Sequence, residues 1–169
     1  MALLPIIQYP DPVLAAKAEP VEIVDDAIRA LAADMAETMY AAPGVGLAAN
    51  QIGVLKRIIV VDVSEDKSEL ITLINPEIIE LSDELCENEE GCLSLKGLFE
   101  KVKRPASVVV KYLDLEGKEQ VISATDLLAV CLQHEIDHLD GQVFIDHLSQ
   151  LKKDRARTKL SKLRRRDRE

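Results

Sequence analysis

Six consecutive residues, Gln133-His134-Glu135-Ile136-Asp137-His138, limit the fold more than any other feature of the chain. The flanking pattern predicts a helix from about Asp126, capped by Thr125 or Asp126, to a stop at Gly141. Within it His134 and His138 project from one face, one turn apart, so two imidazole nitrogens can reach a single metal ion. Leu127 and Cys131 continue that face with apolar side chains, so the face points inward. A solvated polar helix spelling the same pattern is the bland alternative. It is weakened because only three histidines exist and two fall here, and two adjacent buried imidazoles without a metal would be costly to satisfy.

The rest of the chain must enclose that helix. Asp25 can cap a helix over 25–42, where Ile28, Leu31, Ala32, Met35 and Met39 recur at helical spacing until Pro43-Gly44 ends it. Short β-rich runs follow at 57–63, 70–75, 78–81 and 107–114, and 115–118 reads as a hairpin turn into 119–123. A last helix spans about 147–166 with Leu148, Leu151, Leu160 and Leu163 on a thin apolar stripe. Helices flanking strands without regular βαβ alternation predict an α+β fold, small antiparallel sheets around the central helix. A length of 169 residues fits one domain, 1–169. Two Phe, three Tyr and no Trp leave an aliphatic core and no aromatic platform for stacking bases.

Two histidines do not hold a catalytic metal; three protein ligands are usual. Candidates for the third are His147, Cys86, Cys92, Cys131 or a carboxylate. Cys92 is favoured because it stands in Glu90-Gly91-Cys92-Leu93-Ser94, where Gly91 lets the backbone approach something closely. Cys131 reads as a small core residue and Cys86 as incidental. Glu135, beside one ligand, can act as general base. A third stretch, Gly44-Val45-Gly46-Leu47-Ala48-Ala49-Asn50-Gln51, superficially matches a dinucleotide fingerprint. A helix precedes it and a strand follows, the reverse of the order that fingerprint needs. It reads instead as a small-residue loop against a substrate, with Gln51 supplying an amide donor.

Residues 44–51, 90–94 and 133–138 together, in this order and spacing, resemble the three signature motifs of the peptide deformylase family. The likeness extends to Ile74-Asn75-Pro76-Glu77 and to the basic C-terminal helix. It implies a metal-dependent hydrolase that removes the N-formyl group from the initiator methionine of nascent polypeptides. Carried over by motif, Cys92, His134 and His138 are the metal ligands and Glu135 the general acid/base. Gln51 and the backbone N–H of Leu93 form the oxyanion hole, while Glu90, Asp137 and Arg104 brace the ligands. Val45, Leu127, Val130 and Cys131 would line the methionine pocket, and backbone at Gly46 and Gly91 would pair with extended peptide. The family implies Fe²⁺, with Zn²⁺, Ni²⁺ or Co²⁺ able to substitute. One departure stands out: 95–100 reads Leu-Lys-Gly-Leu-Phe-Glu, without the Pro and Arg that many members carry there.

Charge adds a partner. The net charge of −9 divides into a C-terminal segment, 152–169, whose ten Lys or Arg against three acids give +7, and a body at −16. A charged solvated helix is the bland reading. The family likeness implies docking near the ribosomal tunnel exit, with no sequence-specific nucleic acid involved. No apolar run approaches the ~18 residues of a membrane span, and three scattered cysteines make no disulfide framework, so a reduced, cytoplasmic setting is expected. Two rivals remain. An HExxH peptidase would cleave unformylated amides, and a closed structural zinc module would need a fourth ligand and no Glu135.

Overall fold

A computed structural model describes the backbone of residues 2–168 and the side chains of residues 2–166. The fold is α+β: a five-stranded antiparallel sheet and a separate two-stranded sheet pack around a buried helix, with one helix before and one after. Helix α1 (Asp26–Ala41) starts where Asp25 accepts a hydrogen bond from Ile28 N at 3.1 Å. The larger sheet runs in the order β1 (Gly46–Ala48), β2 (Ile58–Val61), β3 (Ile71–Leu81), β6 (Ser107–Leu113), β7 (Glu119–Thr125). The smaller sheet pairs β4 (Leu85–Gly91) with β5 (Phe99–Pro105).

Strand β2 shows why the sequence folds this way. All four of its residues are buried, and its two faces serve different helices. Ile58 and Val60 pack with Ile28, Met35 and Met39 of α1, while Ile59 and Val61 pack with Ala129, Leu132 and Ile136 of α2 (Asp126–Leu139). A continuous apolar run is what a strand covered on both faces requires. A third cluster, around Leu95, Leu98, Phe144 and Leu160, seats α3 (Gln150–Arg168) against the loop after β4.

The N-terminal arm ties these parts together through its backbone. Ile7 N donates to Gln51 O (2.7 Å), Tyr9 N to Ser94 O (2.8 Å) and Ala18 N to Leu139 O (2.8 Å).

Several expectations need correcting. The runs at 70–75 and 78–81 form one strand, β3, because Asn75 takes a left-handed conformation (φ 51°) and absorbs a register shift beside Pro76. Its side chain is held by both polar atoms, accepting from Val21 N at 2.8 Å and donating to Val21 O at 2.9 Å. Helix α3 begins at Gln150; Phe144–His147 is a separate 3₁₀ turn. The expected stripe is shifted with it, since Leu151 is 63% exposed while Ala156 and Leu160 are buried. Strands β1, β4 and β5 were not expected at all.

Candidate metal centre

Helix α2 is buried along most of its length, and its His134 and Glu135 meet two loops on the floor of one cavity, with His138 buried beside them. Cys92, just beyond the end of β4, faces His134 and His138 across that floor. The three donor atoms lie within 4.8 Å of one another, and Cys92 Sγ is 3.3 Å from His138 Nε2. The imidazoles meet edge-on, with centroids 5.1 Å apart. A thiol and two imidazoles, converging on one point, fit a borderline-soft divalent cation, and three protein donors is the number catalytic sites use. Among the described residues no fourth donor joins the cluster, so a closed structural site is incomplete.

The other candidate ligands sit elsewhere. His147 bonds Asp137, Cys86 lies on β4 with Asn88 Nδ2 3.2 Å from its sulfur, and Cys131 turns towards Val45 O at 3.6 Å.

Each donor is held by its surroundings. Glu90 Oε1 stands 3.0 Å from His134 Nδ1, and Arg104 grips the same carboxylate through Nε (2.6 Å) and Nη2 (2.9 Å). Arg104 Nη1 donates to Asp137 at 2.7 Å. Burial works against ionising Glu90 and Asp137. Bonds from His134 and Arg104 to Glu90, and from His147 and Arg104 to Asp137, outweigh it and hold both carboxyls below their usual range. Burial also disfavours protonating His134, but contacts with Cys92 and Glu90 raise it well above an ordinary histidine. His138, buried and facing His134, goes the other way.

Glu135 sits beside His134, buried, with Oε1 lacking any hydrogen-bond partner among the described residues. Burial pushes its carboxyl up to about 7, with Glu90 and Asp137 adding to the rise against His134 and Arg104. The loop at 44–51 closes the other wall. Gly46 belongs to β1, and a Cβ there would stand 2.5 Å from Glu135 Oε2 and 2.8 Å from Cys131 Sγ. Only glycine allows this approach. Gln51 lies in a 3₁₀ turn; its Oε1 accepts from Ala48 N (2.9 Å), so Nε2 points to Ser94 Oγ (3.0 Å) and Cys92 Sγ (3.5 Å).

The cavity above this floor measures about 750 Å³. Val45, Gly46, Gly91, Leu127, Val130 and Cys131 all line it, together with Gln51, Leu93 and Glu135. Leu127, expected on an inward face, is 54% exposed and forms part of the rim. Lys96 and Phe99, from the segment that departs from the family pattern, also reach the cavity. The Phe99 ring covers Gly91, where a Cβ would stand 2.5 Å from Cε1. Leu3, Leu4 and Thr38 complete the far wall. Nothing in their residue types marks them: Thr38 comes from α1, and the N-terminal arm brings Leu3 and Leu4 beside it, with Leu4 N donating to Thr38 Oγ1 at 3.0 Å.

A family model described as "Polypeptide deformylase" matches residues 3–154. A protein named peptide deformylase from Cellvibrio japonicus is 55% identical over 162 residues, covering 96% of each chain. The crystal structure of a peptide deformylase from Legionella pneumophila superimposes with a TM-score of 0.93 at 48% identity, covering 98% of this chain and 97% of that one. One from Ehrlichia chaffeensis, in complex with actinonin, gives 0.92 at 44% identity over the whole of both chains.

Proposed function

The chain belongs to the polypeptide deformylase family, and on that premise we propose how its own residues carry out the reaction. The enzyme is a metal-dependent hydrolase that removes the N-formyl group from the N-terminal formyl-methionine of newly synthesised polypeptides and releases formate. The observation that carries the assignment of roles is the meeting of Cys92, His134, Glu135 and Gln51 on one cavity floor, with His138 Nε2 3.3 Å from the Cys92 sulfur.

Cys92, His134 and His138 would hold the cation. When bound, a divalent ion supplies an electrophile that polarises the formyl oxygen and makes water acidic enough to ionise near neutral pH. Glu135, buried and poised near 7, takes a proton from the attacking water at Oε1, its unpartnered oxygen. The water oxygen bonds to the formyl carbon, and the oxygen of the former carbonyl becomes an oxyanion. Gln51 Nε2 and the backbone N–H of Leu93 donate to that oxyanion. Breaking the C–N bond then returns the proton from Glu135 to the departing amine, leaving formic acid, which ionises to formate.

Val45, Leu127, Val130 and Cys131 offer the apolar lining an unbranched thioether needs. Backbone at Gly46 and Gly91 lies where an extended peptide could pair as an added strand. Fe²⁺ is the physiological ion in this reading, with Zn²⁺, Ni²⁺ or Co²⁺ able to substitute. Residues 1–169 form a single catalytic domain working in the cytoplasm; among the described residues no helix is long and apolar enough to cross a membrane. Helix α3, carrying most of the +7 segment, docks on ribosomal phosphates near the tunnel exit.

The test is formate release from an N-formyl-methionyl tripeptide by protein prepared anaerobically with Fe²⁺. The parent is expected to turn over and Glu135→Gln to lose about 10² to 10⁴ in rate. A folded, metal-loaded parent that releases no formate overturns the reading.

A further inference from the structure

The contacts that hold the candidate ligands do not end at Arg104. That residue is 3% exposed, and its guanidinium spans two carboxylates: Glu90, which faces His134, and Asp137, which precedes His138. Asp137 Oδ2 takes the Arg104 Nη1 bond and also lies 2.7 Å from His147 Nε2. His147 ends the 3₁₀ turn Phe144–His147, and its side chain is 35% exposed. An ionised carboxylate between a guanidinium and an imidazole can only accept, so His147 Nε2 must carry its hydrogen and donate it to Asp137. The 3.5 Å approach of Arg104 Nη1 to the same nitrogen then joins two donors and is no hydrogen bond.

This chain crosses α2, which carries His134 and His138, and β4, which leads into Cys92. It runs from the 3₁₀ turn to α2 at Asp137, to β5 at Arg104, to β4 at Glu90, and back to α2 at His134. Glu90 is two residues before Cys92. Asp137 is the weak point: its side chain is 20% exposed, and water competes for it. Without the His147 bond it can swing outwards, leaving Arg104 Nη1 buried without an acceptor. The guanidinium would then shift, and with it the carboxylate that orients His134.

We propose that His147 is a positioning residue, the outer end of a His147–Asp137–Arg104–Glu90 chain that keeps Cys92, His134 and His138 converged. The inference rests on reading those three as the holders of a divalent cation. Its role is to donate one hydrogen bond, so a different donor serves and an apolar ring does not. Groups that orient metal ligands typically change affinity about 10- to 100-fold when removed, and a contact this far out belongs at the lower end.

The experiment loads the parent, His147→Phe and His147→Gln with Zn²⁺ and follows release into an excess of a coloured chelator. Thermal unfolding of the chelator-stripped proteins runs beside it. His147→Phe is expected to release the ion about 10-fold faster, His147→Gln at close to the parent's rate, and the three stripped proteins to melt together. Equal release from parent and His147→Phe overturns the proposal, as does His147→Gln releasing as fast as His147→Phe. A matching drop in Tm of stripped His147→Phe overturns it too, since the effect would then be general loosening. A parent that binds no Zn²⁺ sinks the reading of the site itself, an outcome distinct from variants that all bind and release alike.

Discussion

Replacing Gly46 by alanine adds one methyl directly against the Glu135 side chain. Gly46 is not among the glycines with positive φ, so alanine can adopt its backbone conformation and the effect is purely steric. The methyl would stand 2.5 Å from Glu135 Oε2, 2.8 Å from Cys131 Sγ and 2.9 Å from Glu135 Cγ. Carbon contacts relax at about 3.5 to 4.0 Å, so roughly 1 Å must be found. Strand β1 is held by its pairing with β2, with Gly46 opposite Val61, and α2 is backed by buried Leu132 and Ile136. The Glu135 side chain is therefore what yields. A displacement of about 1 Å in a reacting group costs about 10²-fold in rate. Overpacking a core of this kind costs about 1 to 3 kcal/mol, which in a chain of this length lowers Tm by about 2 to 4 °C for each kcal/mol.

The two consequences separate in a second variant. Gly46→Ala with Cys131→Ala removes the sulfur contact but leaves the carboxylate contact, so part of the Tm should return while kcat stays low. Formate release and calorimetry on the parent, both single variants and the double variant measure this. A Gly46→Ala enzyme with the parent's kcat would show that Glu135 does not work from the position described, whatever its Tm.

Two further outcomes are expected. Gln51→Ala should lose about 10² to 10³ in kcat, the usual cost of one oxyanion donor, and should also lower Tm, since buried Ala48 N loses its side-chain acceptor and Ser94 Oγ its donor; a kcat within a few-fold of the parent's would remove Gln51 from the mechanism. Tyr40 should be the last of the three tyrosines to ionise, since burial and its 2.6 Å bond to Asp62 push the phenol up to about 12. An unfolded tyrosine ionises near ~10, so the unfolded chain loses that proton first. Stability therefore falls as pH rises from about 10 to about 12. Ultraviolet titration of the parent and Asp62→Asn reads it, and three coincident midpoints in the parent would refute it.

The central helix and its chemistry were legible because their signals are chemical. Few residue types hold metals, and His134 and His138 are two of three histidines in the chain. The apolar stripe of α1 was legible because the helix covers one face of a sheet and so repeats every three to four residues. Strand β4 was not, because Leu85–Gly91 is mostly exposed and acidic and lies in a two-stranded ribbon. What specifies it is its partner: Glu87 sits opposite Lys103 and Glu89 opposite Lys101. Pro76 hid the continuity of β3, because the turn that accommodates it depends on Asn75 binding Val21, far away in sequence. The bracing of the candidate ligands was legible as far as Arg104. Its continuation to His147 was not, since a lone histidine ten residues beyond Asp137 carries no local signal.

The N-terminal arm sets a timetable for making this enzyme. Its backbone bonds reach Gln51, Ser94 and finally Leu139, one partner beside each of the three motif segments. The arm is synthesised first, yet its last partner leaves the ribosome about 120 residues later. At elongation rates of about 5 to 20 residues per second, that delay is roughly 6 to 24 s. Ile6 and Ile7 meet their partners in α1 and at Gln51 early, but Ala18, buried in the finished fold, waits through this interval for Leu139 and leaves its stretch of the arm open to chaperones and proteases. Catalytic competence would arrive abruptly, when α2 emerges and brings His134, Glu135 and His138 to the arm and loops already made.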